Sequence, residues 1–179
     1  SKHGISTDHT EVITGNAGSP YAIKDYYDVC PDYADKVENR IEEFEELIKR
    51  THAAGLKVVV DFVPNHVARQ YHSDAKPKGV KDFGEKDDVN QSFVASNNFY
   101  YLPNQSLEPQ FYDWQREGAY KEFPAKVTGN NNFSNQPSIN DWYETVKLNY
   151  GVDYQRGGAT HFNPVPDTWN KMKDILLYW

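Results

Sequence analysis

Asp61, Asn65 and His66 place a carboxylate, an amide and an imidazole close together, just after the apolar run Val58-Val59-Val60. A carboxylate accepts hydrogen bonds from hydroxyls, an amide donates and accepts, and an imidazole holds or moves a proton near neutral pH. Such a set suits a ligand rich in hydroxyls, or a hard cation held through oxygen. The plainer alternative is a polar turn that only caps a strand.

The elements expected to position these groups follow from local patterning. Leu56–Phe62 reads as a strand covered on both faces, as in a parallel sheet, delivering polar groups at its C-terminal end. Before it, Asp35 and Glu38 have capping-box spacing, which predicts a helix over 36–53. Val37, Ile41, Phe44, Ile48 and Thr51 would share its apolar face, and Gly55 would stop it. Helix, turn and buried strand make half of a βαβ unit. Residues 68–165 are rich in Asn, Gln, Gly, Pro and aromatics and carry few apolar runs. Short strands are expected at 93–95, 98–102 and 122–127, within an inserted, irregular, β-rich subdomain. Asp167 would cap a last helix with Trp169, Met172, Leu176 and Trp179 on one face. No stop signal follows, so the chain reads as cut there.

Composition narrows the partners. The 179 residues carry a net charge of −7, which argues against nucleic acid as a partner. No stretch is long and apolar enough to span a membrane. Cys30 is the lone cysteine, so neither an internal disulfide nor a thiolate-rich zinc site is available. Aromatics reach 15% although mean hydropathy is −0.82, a mixture that suits a groove stacking flat, polar ligands such as sugars. Ordinary core and turn usage explains that composition equally well. The triplets beginning at Asn90, Asn104 and Asn132 match glycosylation acceptors and read as chance in so Asn-rich a chain. The compartment stays open.

Four stretches in order carry a family resemblance. Asp61-Phe62-Val63-Pro64-Asn65-His66 resembles the first signature of the α-amylase family, glycoside hydrolase family 13, written Asp-x-x-x-Asn-His. Pro20-Tyr21-x-x-x-Asp25-Tyr26-Tyr27 is similar to that family's Gly-Tyr-x-x-x-Asp-Tyr stretch, with Pro20 in place of the usual glycine. The helix over 36–53 and the run 52–61 look like the second barrel helix and third strand. Val146-Lys147-Leu148-Asn149-Tyr150 resembles the short signature near the end of the inserted domain, Pro-Lys-Leu-Asn or Pro-Asp-Leu-Asp.

The resemblance implies a partial TIM-barrel (β/α)₈ segment of the α/β class. Residues 1–67 would be barrel, 68–165 the inserted B domain and 166–179 a further barrel helix, cut short. A whole barrel needs roughly 250 residues. The implied parent is a retaining hydrolase or transferase of α-glucans such as starch, maltodextrin or pullulan, using an Asp nucleophile and a Glu acid/base. Those groups are expected outside this chain, which therefore contributes no catalytic residue and is expected to be inactive alone. The implied substrate-binding residues are Tyr21, which stacks on the sugar; His66, which donates to its hydroxyl; and Asp61, which supports the network. Against these stand a core tyrosine, a satisfied buried histidine and a strand-end acceptor. Asn65 would be a calcium ligand through its amide oxygen, except that Lys147 stands where relatives carry an Asp ligand, so no cofactor is required. Asn65 then becomes a brace. Phe99, Tyr100, Tyr101, Trp114, Trp142 and Tyr143 read as core, with outer sugar subsites as the alternative. An isolated piece of barrel would expose strand edges and self-associate. Two rivals are a carbohydrate-binding module complete as it stands and a non-catalytic relative of the family.

Overall fold

The computed structural model describes residues 2–179; Ser1, the first residue of the expected N-terminal loop, lies outside the described residues. Two helices and six short strands form in the order α1 (Arg40–Ala53), β1 (His66–Ala68), β2 (Tyr101–Leu102), β3 (Ala125–Lys126), β4 (Thr145–Lys147), β5 (Val152–Asp153), β6 (Ala159–Thr160) and α2 (Asp167–Tyr178). The strands pair antiparallel as β1–β4, β2–β3 and β5–β6. Single bridges, Thr128 to Val146 and Phe99 to Leu148, join the first two ladders. No closed barrel is present among the described residues.

The chain around β2 shows why this irregular region holds together. Side chains alternate faces along an extended chain. Phe99 and Tyr101 therefore enter one core with Tyr26, Val67, Phe83, Val146 and Leu148. Tyr100 and Leu102 enter a second core with Leu107, Ala125 and Val127. Met172 and Ile175 of α2 complete the first core, each burial contributing about 1.5–3 kcal/mol.

Several expectations are corrected. Residues 56–62 are not a buried strand. Leu56, Val59 and Val60 are 64%, 92% and 67% exposed, and none of these residues pairs in a ladder among those described. An apolar run needs cover on both faces, and no described element supplies it. The strand starts instead at His66, the last residue of the polar cluster, rather than ending before it. The capping box also differs. Glu43, not Glu38, accepts the Asp35 and Lys36 amides at 2.8 and 2.9 Å, and a single 3₁₀ turn over Val37–Asn39 precedes α1. Gly55 does end the helix, at φ +77°, where glycine escapes the Cβ penalty. Its amide donates to the His52 carbonyl and that of Leu56 to Thr51, a Schellman closure. In α2 the buried face is Thr168, Met172 and Ile175, and Pro166 rather than Asp167 is the cap. Leu176 stays exposed, while the Trp169 and Trp179 indoles donate to the carbonyls of Tyr150 and Tyr26 at 3.0 and 2.7 Å. Short strands appear within two of the three expected stretches; 93–95 is irregular.

Candidate functional site

His66 opens β1 opposite Lys147 of β4, so that ladder sets one imidazole beside one ammonium. Asn65 saturates its amide at the junction. Its Nδ2 donates to His66 Nδ1 at 2.8 Å and to the Gly129 carbonyl at 3.0 Å, while Oδ1 accepts from Lys147 Nζ. With Nδ1 accepting, the proton of a neutral His66 sits on Nε2, which donates to the Tyr21 carbonyl at 3.1 Å. Burial pushes the imidazolium's pKa down, Lys147 adds to this, and the Tyr21 carbonyl opposes both. Burial likewise lowers that of the Lys147 ammonium.

The backbone is drawn tight around this group. A Cβ on Gly129 would overlap Thr145 Oγ1 and come within 3.0 Å of His66 Cβ. Gly129→Ala is therefore expected to cost about 1–3 kcal/mol and to shift the His66 ring. Thermal unfolding, with the His66 imidazole resonances followed by NMR, checks both; an unchanged midpoint and spectrum would contradict the tight approach.

Tyr21, Val63 and His66 line a cleft of about 530 Å³ with Thr14, Ser19, Ile139, Asp141, Trp142, Tyr143, Glu144 and Thr145. The structure thus brings together Tyr21, 58% exposed, and His66, which is buried beside it. Asp61 is exposed and does not line this cleft, and its carboxylate has no hydrogen-bond partner among the described residues. The other aromatic candidates divide. Phe99, Tyr100 and Tyr101 are core, Tyr143 is buried while touching the cleft, and Trp142 stands at its edge.

Both carboxylates of the cleft serve its frame. Glu144 accepts the Thr14 and Ser19 amides at 3.1 and 2.8 Å, pinning the loop that carries Tyr21. Gly18, at φ +77°, lets that loop pass, since a Cβ there would lie 2.6 Å from Glu144 Oε1. Asp141 accepts from Ser138 and Asn130, and these hydrogen bonds, Asn130's foremost, hold its carboxyl below the usual range. Ile139, Asp141 and Glu144 escaped sequence reasoning. The Ser138-x-x-Asp141 spacing marks an ordered turn, but nothing in it says that the turn faces a cleft.

Calcium takes about six to eight oxygens, usually including carboxylates. Here the Asn65 amide oxygen already accepts from an ammonium, and no three His, Cys, Asp or Glu side chains converge among the described residues.

The family model for the α-amylase catalytic domain matches residues 12–158. The chain belongs to the α-amylase family. This α-amylase-family chain is 26% identical over 160 residues to maltase 1 of Drosophila virilis, and 24% identical over 162 residues to maltase A1 of Drosophila melanogaster. Each match covers 89% of this chain, but only 21% and 23% of the relative. A shorter stretch of 51 residues, 28% of this chain and 8% of the relative, is 39% identical to trehalose-6-phosphate hydrolase of Bacillus subtilis. The chain thus spans about a fifth of the length of the two maltases. No solved structure gives a significant match.

Proposed function

We propose that this chain forms the substrate-binding wall of an α-glucan-acting retaining glycoside hydrolase. Residues 1–67 and 166–179 would belong to its barrel and 68–165 to the inserted B domain. The observation that carries the reading is the cleft joining Tyr21 to His66, within a chain of the α-amylase family. In the reading, a pyranose ring lies against Tyr21 and one of its hydroxyls competes with the Tyr21 carbonyl for the His66 Nε2 proton. That hydrogen bond strengthens as the oxocarbenium-like transition state develops. Asp61 would act only from outside the cleft. Asp141 and Glu144 are committed to holding loops, so bond cleavage falls to carboxylates that this chain does not supply.

Reducing-sugar release from maltoheptaose and pullulan tests the reading, with the full-length protein assayed beside the isolated chain. The full-length protein is expected to be active and the chain silent. Release by the pure chain would refute its inactivity. Silence from both would favour a non-catalytic relative.

Lys147 takes the role a calcium ion would otherwise fill at Asn65, so activity of the full-length protein is expected to survive chelation. Lys147→Met leaves Asn65 Oδ1 without its partner and is expected to lower stability by about 1–3 kcal/mol. Loss of activity in EDTA, restored by calcium, would contradict this.

A further inference from the structure

We propose that Trp142 is a second sugar-stacking platform of this cleft, and that with Ile139 it grips the glucan unit next to the one lying against Tyr21. The proposal rests on the α-glucan reading and names how that site measures chain length.

Trp142 differs from the tryptophans of α2. The indole N–H groups of Trp169 and Trp179 are spent on backbone carbonyls. The Trp142 indole N–H has no partner among the described residues, and half of the side chain is exposed, at 51%. Ile139, on the same turn, is 57% exposed. Single exposed apolar side chains need no explanation, but here two of them and Tyr21 converge on one cleft.

The turn that presents Trp142 is fixed from three sides. Asp141 Oδ2 accepts the Ser138 amide and hydroxyl, each at 2.9 Å, and Oδ1 accepts from Asn130 at 2.9 Å. The Trp142 carbonyl accepts both the amide and the hydroxyl of Thr145, each at 2.9 Å. The indole meets the His66 ring at 5.3 Å and 62°. His66 therefore touches Trp142 through its ring and Tyr21 through its Nε2 proton. A platform ordered in advance loses little entropy when ligand arrives. An indole offers an apolar face to pyranose C–H groups and a free N–H to a hydroxyl. Ligand clefts combine these features, mostly apolar walls with a few polar groups aimed inward.

Calorimetric titration of the full-length protein with glucose and a thio-linked, non-hydrolysable maltoheptaose tests the proposal. Trp142→Ala is expected to weaken maltoheptaose binding about tenfold and glucose binding about twofold or less, while Trp142→Phe keeps most of the affinity. Trp142→Leu, which fills the space without a ring, covers the case in which the alanine variant misfolds, and it is expected to lose the same affinity. Unchanged maltoheptaose affinity in a folded Trp142→Ala or Trp142→Leu protein would overturn the platform alone. A wild-type protein that binds neither sugar would overturn the platform together with the α-glucan reading.

Discussion

Arg69→Ala is expected to lower the unfolding free energy by about 3–5 kcal/mol. The Arg69 guanidinium is fully buried just after β1. Its Nε donates to the Tyr143 carbonyl at 2.6 Å, and its terminal nitrogens donate to Glu122 at 2.7 Å and to the carbonyls of Lys126 and Thr145 at 3.3 and 3.2 Å. One side chain thus ties the β1 end to β3 and β4. Removing it leaves the buried Glu122 carboxylate with only the Lys126 charge nearby. Chemical denaturation of Arg69→Ala beside the double variant Arg69→Met/Glu122→Leu separates pair from site. The double variant should recover much of the loss, because no lone charge stays buried. Equal stability of Arg69→Ala and wild type would contradict this role.

The same knot sets an acid limit. Burial opposes ionisation of Glu122, but the charges of Arg69 and Lys126, with hydrogen bonds from the Lys126 amide and the Tyr120 hydroxyl, outweigh it and hold the carboxyl below its ordinary value of 4.5. A depressed native pKa means that the unfolded chain takes up this proton first. The stabilisation is therefore complete above about 4.5 and is lost as pH falls through the native value.

His66→Ala is expected to reduce kcat/KM of the full-length protein on maltoheptaose by roughly a hundredfold, or about 2.7 kcal/mol, with most of the loss in kcat. The neutral ring delivers one proton, on Nε2, because Asn65 donates to Nδ1. Protonation would place a hydrogen on both nitrogens and turn Nδ1 against the Asn65 amide. Since burial and Lys147 lower this pKa, the delivering form persists below the ordinary histidine value of 6.5. The acid limb of kcat/KM in the wild type should accordingly lie below that value. His66→Gln, which retains a donor, should recover part of the loss. A His66→Ala protein with wild-type kinetics would remove His66 from substrate recognition.

Two residues of the candidate cleft could be read in the sequence because their motifs are local. Tyr21 and His66 sit in short motifs, and the structure brings both to one cleft. The Gly55 stop was equally readable, since a left-handed residue after an amphipathic run needs glycine. The strand expected at 56–62 failed for a reason of environment. Val58-Val59-Val60 encodes burial between two layers, and no described element covers it. The helix start failed through a longer reach, because Glu43 spans a turn that the capping-box spacing does not consider. Ile139, Asp141 and Glu144 had no periodic pattern to announce them. They reach the cleft through loop folding, fixed by hydrogen bonds such as Glu144 to Thr14 and Ser19 across more than a hundred residues.

The most direct measurement is a crystal structure of the full-length protein with maltoheptaose bound. A pyranose ring against Tyr21, with a hydroxyl within hydrogen-bond distance of His66 Nε2, is the expected result. A glucan bound elsewhere, with the cleft between Tyr21 and Trp142 empty, would contradict the assignment of this cleft as the substrate wall.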